Sequence, residues 1–288
     1  MSNSLLIHPG LPRTATTTLQ KNIFPNYCAH KLFTKDTKSS ILVEINERQS
    51  VYKAITTGES VSSSKIARAI FTLASKQDGE SLLLLQKAVE RILRDCEDDD
   101  YPALISSEFL TLTFASFSQM NHLDKRPFGV FPLIKAINEV SNQAPKVIIV
   151  FRDPIEQFTS MFIRLVEDRR TNNLEKYINY QLAKEKSCAF SSTIAHMYHK
   201  KLIQQLEASG AEVLPIRYKA LLQTPNAPQL LGLQGKKVSL KKQKKENHHL
   251  AKDYLGISKQ QIFSARLNCK KAFKQLGIYE QIYNDSIN

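Results

Sequence analysis

The sequence predicts an α/β fold of P-loop-like form, a mostly parallel β-sheet with helices on both faces, and three observations predict it. The first is the stretch from Leu5 to Leu19. An apolar run, Leu5 to Ile7, precedes the turn residues Pro9, Gly10 and Pro12, and then Thr14, Thr16, Thr17 and Thr18 lead into Leu19-Gln20-Lys21. Strand, loop and helix start stand there in the order that a phosphate-binding loop needs. The second is Lys146 to Phe151, an uninterrupted, largely β-branched run, as expected of a strand covered on both faces of a parallel sheet. The third is the order of elements, in which strand and helix patterns alternate without an internal repeat.

In order, the first loop leads into a short helix from about Thr16 to Phe24, amphipathic through Leu19, Ile23 and Phe24, and Tyr27 to Phe33 returns as a second strand. Residues 34–64 are polar and irregular, an excursion of the kind that shapes an acceptor site. Ser62-Ser63-Ser64 caps a helix to about Lys76, and Asp78 or Gly79 opens another with Leu82, Leu83, Leu85, Val89, Ile92 and Leu93 at helical spacing. Glu97-Asp98-Asp99-Asp100 reads as a solvated loop, because four consecutive carboxylates cannot all face one ion. Ala103 to Ile105 is a buried strand with Ser106-Ser107-Glu108 at its carboxyl end, and helices follow over Phe109 to Met120 and Phe128 to Val140. Asp153 before Pro154 starts a helix carrying Phe158, Met161, Phe162 and Leu165. Helices over Asn173 to Lys186 and Phe190 to Ser209, a strand over Glu212 to Tyr218, and one or two closing helices interrupted at Gly277 complete the chain.

Composition bounds the function. The chain has 288 residues, 42% hydrophobic and 23% charged, so a globular protein with a large core is expected, as one domain over 1–288 with 34–64 and 235–250 as irregular or mobile excursions. No apolar run reaches the roughly 18 residues of a bilayer span. The start of the chain lacks the basic and apolar parts of a secretory signal, and a cytoplasmic setting is expected. Four cysteines, scattered singly, suit free thiols in a reducing compartment. The seven histidines include His248-His249 but have no metal-ligand spacing, and no metal is assigned. A net charge of +13 asks for an anionic partner: nucleotide, anionic polysaccharide or nucleic acid. No nucleic-acid motif is present, so nucleic acid is not expected. The run holding Lys236, Lys237, Lys241, Lys242, Lys244 and Lys245 reads either as a solvated loop or as a cover over bound anion.

The first loop does not fit Gly-x-x-x-x-Gly-Lys-Ser/Thr. Counted from Gly10, the second glycine falls at Ala15 and the lysine at Thr16, and the cation, Arg13, precedes the threonines. The segment Leu11-Pro12-Arg13-Thr14-Ala15-Thr16-Thr17 instead resembles the 5′-phosphosulfate loop of sulfotransferases that use 3′-phosphoadenosine 5′-phosphosulfate (PAPS), commonly written Leu-Pro-Lys-Thr-Gly-Thr-Thr. Arg152, at the end of its strand, and Ser160, eight residues on, resemble the pair that binds the nucleotide's 3′-phosphate in that family. Ser-Ser-Glu108 resembles the catalytic base element of its carbohydrate-directed members, although Ser106 and Ser107 also suit a helix cap.

The resemblance implies a bacterial, carbohydrate-sulfotransferase-like enzyme. Pro12, Arg13, Thr14, Ala15, Thr16, Thr17, Thr18, Arg152 and Ser160 would bind PAPS, Arg13 and Glu108 would be catalytic, and 3′-phosphoadenosine 5′-phosphate (PAP) would be the product. Arg13 replaces the family's usual lysine and would stabilise charge without giving up a proton. Ala15 replaces a glycine, and a methyl group there is compatible with a negative φ. The acceptor implied is a hydroxyl of a carbohydrate or anionic glycan. Two other classes stay open on the residues alone. One is a kinase or nucleotide hydrolase, which should show a lysine after the loop's glycine; the other is a non-catalytic, basic polyanion-binding protein.

Overall fold

The structure, a computed structural model, describes residues 5–11, 14–24, 31–33, 73–74, 77–95, 103–106, 110–111, 127–167, 173–233 and 259–287. Five strands, β1 (Leu5–His8), β2 (Lys31–Phe33), β3 (Ala103–Ser106), β4 (Lys146–Phe151) and β5 (Glu212–Arg217), form one sheet in the order β2-β3-β1-β4-β5, and every neighbouring pair is parallel. The described helices are α1 (Thr16–Asn22), α2 (Gly79–Asp95), α3 (Val130–Val140), α4 (Pro154–Glu167), α5 (Leu174–Ser187), α6 (His199–Ala208), α7 (Tyr218–Gln223), α8 (Ala227–Leu230), α9 (Lys259–Gln275) and α10 (Tyr279–Asp285).

The two-residue period of a strand sorts side chains to the two faces of the sheet. Leu5, Ile7, Ala103, Ile105, Val147, Ile149 and Phe151 pack in one core with Leu85 and Val89 of α2, Ile134 and Ile137 of α3, and Leu202 and Leu206 of α6. Leu6, Leu104, Ile148, Val150 and Ile216 pack in a second core with Leu19 of α1, Ile23, Phe24 and Leu221 of α7. Helices therefore cover both faces, as the uninterrupted apolar strands predict. A third cluster joins α4, α5, α9 and α10 through Phe158, Tyr177, Cys269, Phe273 and Ile282.

Connectivity positions the site. From β1 the chain passes beyond β3 to β2, with α1 on the second face; the later connections run the other way across the sheet, with α2, α3 and α6 on the first face. Crossovers of one hand that travel in opposite directions put their helices on opposite faces. The reversal falls at the carboxyl end of β1, and open parallel sheets gather ligands in the crevice at such a point.

Two elements differ from the sequence reading. The single helix expected over Phe190 to Ser209 is broken into a 3-10 turn, Ile194–Met197, and α6. Ser191 Oγ donates to the carbonyls of Lys184 and Cys188, Ser192 Oγ accepts from Ala195 N–H, and Thr193 N–H donates to Gln181 Oε1. These short polar side chains offer the backbone partners that compete with a helix. The last strand stops at Arg217 and Tyr218 begins α7. Pro215 nevertheless sits inside β5, which ends the described sheet and tolerates a residue without N–H. Gly277, with φ +69°, separates α9 from α10 as expected. The excursions at 34–64 and 235–250 lie outside the described residues. So do most of the helices expected before Lys76 and after Phe109.

Candidate functional site

The loop after β1 turns at Pro9-Gly10, where Gly10 has φ +50°, a region that glycine enters at little cost. Thr14 is buried and its hydroxyl donates to the Leu11 carbonyl at 2.5 Å, so its hydrogen closes the loop on itself. Ala15 then adopts φ 66° and ψ 15°, a left-handed conformation, and not the negative φ that its methyl group favours. Physically, the turn into α1 imposes the shape that a glycine would otherwise supply. Thr16, the first residue of α1, is 2% exposed, and its Oγ1 has no hydrogen-bond partner. A buried hydroxyl of this kind costs about 1–3 kcal/mol unless a ligand or water completes it. Thr17 and Thr18 continue along α1, and Thr18 is partly exposed.

The loop is braced from behind. Thr111 Oγ1 lies 3.2 Å from the Pro9 carbonyl and 3.4 Å from that of Gly10, and His196 Nε2 donates to the Thr111 carbonyl at 2.9 Å. At the end of β1, His8 Nδ1 lies 2.8 Å from Ser106 Oγ at the end of β3. Gln20 of α1 reaches the same Ser106 with Nε2, 3.0 Å from Oγ and 3.1 Å from the carbonyl. His8 is fully buried, and burial alone pulls its pKa down to about 3, so the ring is neutral. Its ring stands edge-on to Phe24 at 5.1 Å, and its Nε2 has no partner.

One strand away, Arg152 follows β4. Asp153 caps α4 by accepting from Glu156 N–H at 2.9 Å, the helix start that Asp-Pro predicts. Glu156 and Ser160, four residues apart, share one face of α4, and Arg152 precedes that helix by two residues. Arg152 Nε meets Glu156 Oε2 at 3.4 Å, and its guanidinium carbon lies 5.2 Å from the centre of the Tyr218 ring. Arg266 of α9 takes the other oxygen of Glu156 at 3.0 Å, and Tyr283 of α10 donates to Asp153 at 3.0 Å. The closing helices thus hold the turn that carries Arg152.

Register separates the two parts of the site. Ile7 pairs with Val147, so His8 is level with Ile148, and Arg152 lies four residues further along the strand direction, roughly 13 Å at about 3.3 Å per residue. The topology brings Thr14, Ala15, Thr16, Thr17 and Thr18 to one strand end and Arg152 and Ser160 to its neighbour. Pro12, Arg13 and Glu108 lie outside the described residues. Sequence reasoning missed His8, Gln20, Thr111 and His196, whose contacts link positions about 85 to 102 apart. The one available signal was a histidine and a glutamine within an otherwise apolar strand and helix face.

Among the described residues, no three His, Cys, Asp or Glu side chains form a group able to hold a metal ion, and no helix is long and apolar enough to cross a membrane. Comparison with protein-family models, with curated proteins and with solved structures finds no match.

Proposed function

We propose that the chain is a PAPS-dependent sulfotransferase acting on a hydroxyl of a carbohydrate or anionic glycan in a cytoplasmic setting. The observation that carries this reading is a convergence at the reversal point of a parallel sheet: a left-handed loop residue followed by a buried, unpartnered threonine hydroxyl and, at the end of the neighbouring strand, an arginine just before the helix that carries Ser160. The donor supplies an activated sulfuryl group and leaves as PAP.

The chain's own residues divide the work. Thr14 shapes the loop, while Thr16, Thr17 and Thr18 offer hydroxyl and backbone donors to the 5′-phosphosulfate. Arg152 and Ser160 receive the 3′-phosphate, with Arg152 leaving Glu156 to do so. Glu108 accepts the proton of the acceptor hydroxyl as its oxygen bonds to sulfur, and the bond from sulfur to the bridging phosphate oxygen breaks in line. Arg13, beside Pro12, stabilises the charge that develops on that oxygen, a contribution whose loss typically costs about 100- to 1,000-fold in rate.

The test is a calorimetric and thermal-shift titration with PAP, ADP and ATP on the wild-type chain and on Arg152→Ala. Binding only the folded state raises stability by about 2.7 kcal/mol at a hundredfold excess of ligand over Kd. Tight binding of PAP that is absent for ADP and lost in Arg152→Ala is expected. Equal binding of ATP and ADP would assign the loop to another nucleotide enzyme, and salt-sensitive polyanion binding without any nucleotide effect would make the chain a binding protein.

A further inference from the structure

Ser106 is the last residue of β3 and is wholly buried where the ends of β1 and β3 meet. Its three polar contacts come from two residues, Gln20 and His8. Gln20 Nε2 can only donate, and its two hydrogens serve the Ser106 carbonyl at 3.1 Å and Oγ at 3.0 Å. His8 Nδ1 lies 2.8 Å from the same Oγ, so both residues grip Ser106. Packing does not require this arrangement, because Leu19, Ile23 and Phe24 already fill the apolar stripe of α1. The amide is a fork that fixes both the position and the rotation of the end of β3, from a helix that opens directly on the loop.

We propose that Gln20 and His8 are positioning residues that lock the end of β3 to the helix leaving the loop, so that nucleotide seated on the loop is felt at Ser106 and in the residues that follow it. The inference rests on the reading of that loop as a nucleotide site. Its consequence for that reading is direct: Ser107 and Glu108 follow Ser106 in sequence, so the strand end from which the segment of Glu108 departs is tied to the helix leaving the loop. A misplacement of about 1 Å in such a pair costs on the order of 100-fold in rate.

The experiment is amide hydrogen exchange on the full chain with and without PAP, in the wild type, in Gln20→Met and in Ser106→Ala, the second variant removing the Oγ contacts of Gln20 and His8 without changing α1. In the wild type, PAP is expected to slow exchange both in 14–24 and in 103–111. In each variant, PAP affinity should stay within about threefold and protection of 14–24 should persist, while the PAP-dependent protection of 103–111 falls at least tenfold in Gln20→Met and by less in Ser106→Ala, which keeps the bond to the carbonyl. A merely structural role would raise exchange of 103–111 without nucleotide and leave the PAP-dependent part intact, and that result would overturn the inference. PAP binding that never protects 103–111 in the wild type would overturn it too. Absence of PAP binding by the wild type would instead overturn the nucleotide reading, and this inference with it.

Discussion

Ala15 holds a methyl group at φ +66°, in a backbone region that costs an L-residue about 1–2 kcal/mol. Ala15→Gly removes that cost and adds about 0.5–1 kcal/mol of unfolded-chain entropy, so a net stabilisation of about 0.5–1 kcal/mol is expected, read as a higher denaturant midpoint at unchanged slope. Ala15→Val should move the midpoint the other way, since a β-branched residue tolerates this region poorly. Strain that persists at a loop of this kind marks a conformation that the surroundings over-determine. A second residue-scale expectation concerns Glu156, which holds both Arg152 and Arg266. Glu156→Gln removes the internal competitor for Arg152 and should tighten PAP binding about fivefold, roughly 1 kcal/mol, with the gain shrinking at high salt. Unchanged affinity in the calorimeter would mean that Arg152 does not leave Glu156 for the ligand.

Between elements, single side chains set the geometry of the strand ends. Thr111→Val keeps the shape of the side chain but removes the donor to the Pro9 and Gly10 carbonyls, and a loss of about 1–3 kcal/mol is expected in equilibrium unfolding. Gly210, at φ +90° between α6 and β5, lies so close to the Asn138 amide that a Cβ would displace it. That amide donates to the carbonyls of Ser209 and Gly210 at 3.0 and 3.3 Å. Gly210→Ala should therefore cost about 2 kcal/mol or more by the same measurement. The elements differ in how legible they were. β4 could be read because Lys146 to Phe151 is uninterrupted and β-branched, and α4 because Asp153-Pro154 is a local signal. The break at Ile194–Met197 was hidden because Ile194, Met197, Leu202 and Leu206 keep helical spacing while Ser191, Ser192 and Thr193 redirect the backbone. In the site, the loop and Arg152 are local patterns with readable chemistry. The grip on Ser106 arises only when positions 86 and 98 residues apart meet, which no short-range pattern encodes.

Three buried histidines make the whole molecule sensitive to acid. Burial pulls His8 down to about 3 and His196 and His199 to about 4, against an ordinary value of 6.5. The unfolded chain therefore binds more protons below about pH 6.5, and stability falls as pH drops from there towards about 4. With all three contributing, the slope reaches about 4 kcal/mol per pH unit near pH 5, enough to exhaust a typical stability of about 5–15 kcal/mol within a few units. Urea titrations at pH 7 and pH 5 should show this loss. His196→Gln, whose amide still reaches the Thr111 carbonyl, should lower the slope by about one proton. The outer strand of the described sheet, β5, carries a different consequence. Glu212 N–H donates to the Pro145 carbonyl, so the backbone groups of Glu212, Leu214 and Ile216 face β4, and those of Val213, Pro215 and Arg217 face outward. Pro215 therefore removes a donor from the outer side, where another chain would otherwise add a strand, and Arg217 brings a charge to the same row. An outward N–H is what an added strand would need, so Pro215→Val, which restores it, is expected to leave the fold intact and to raise light scattering on concentration.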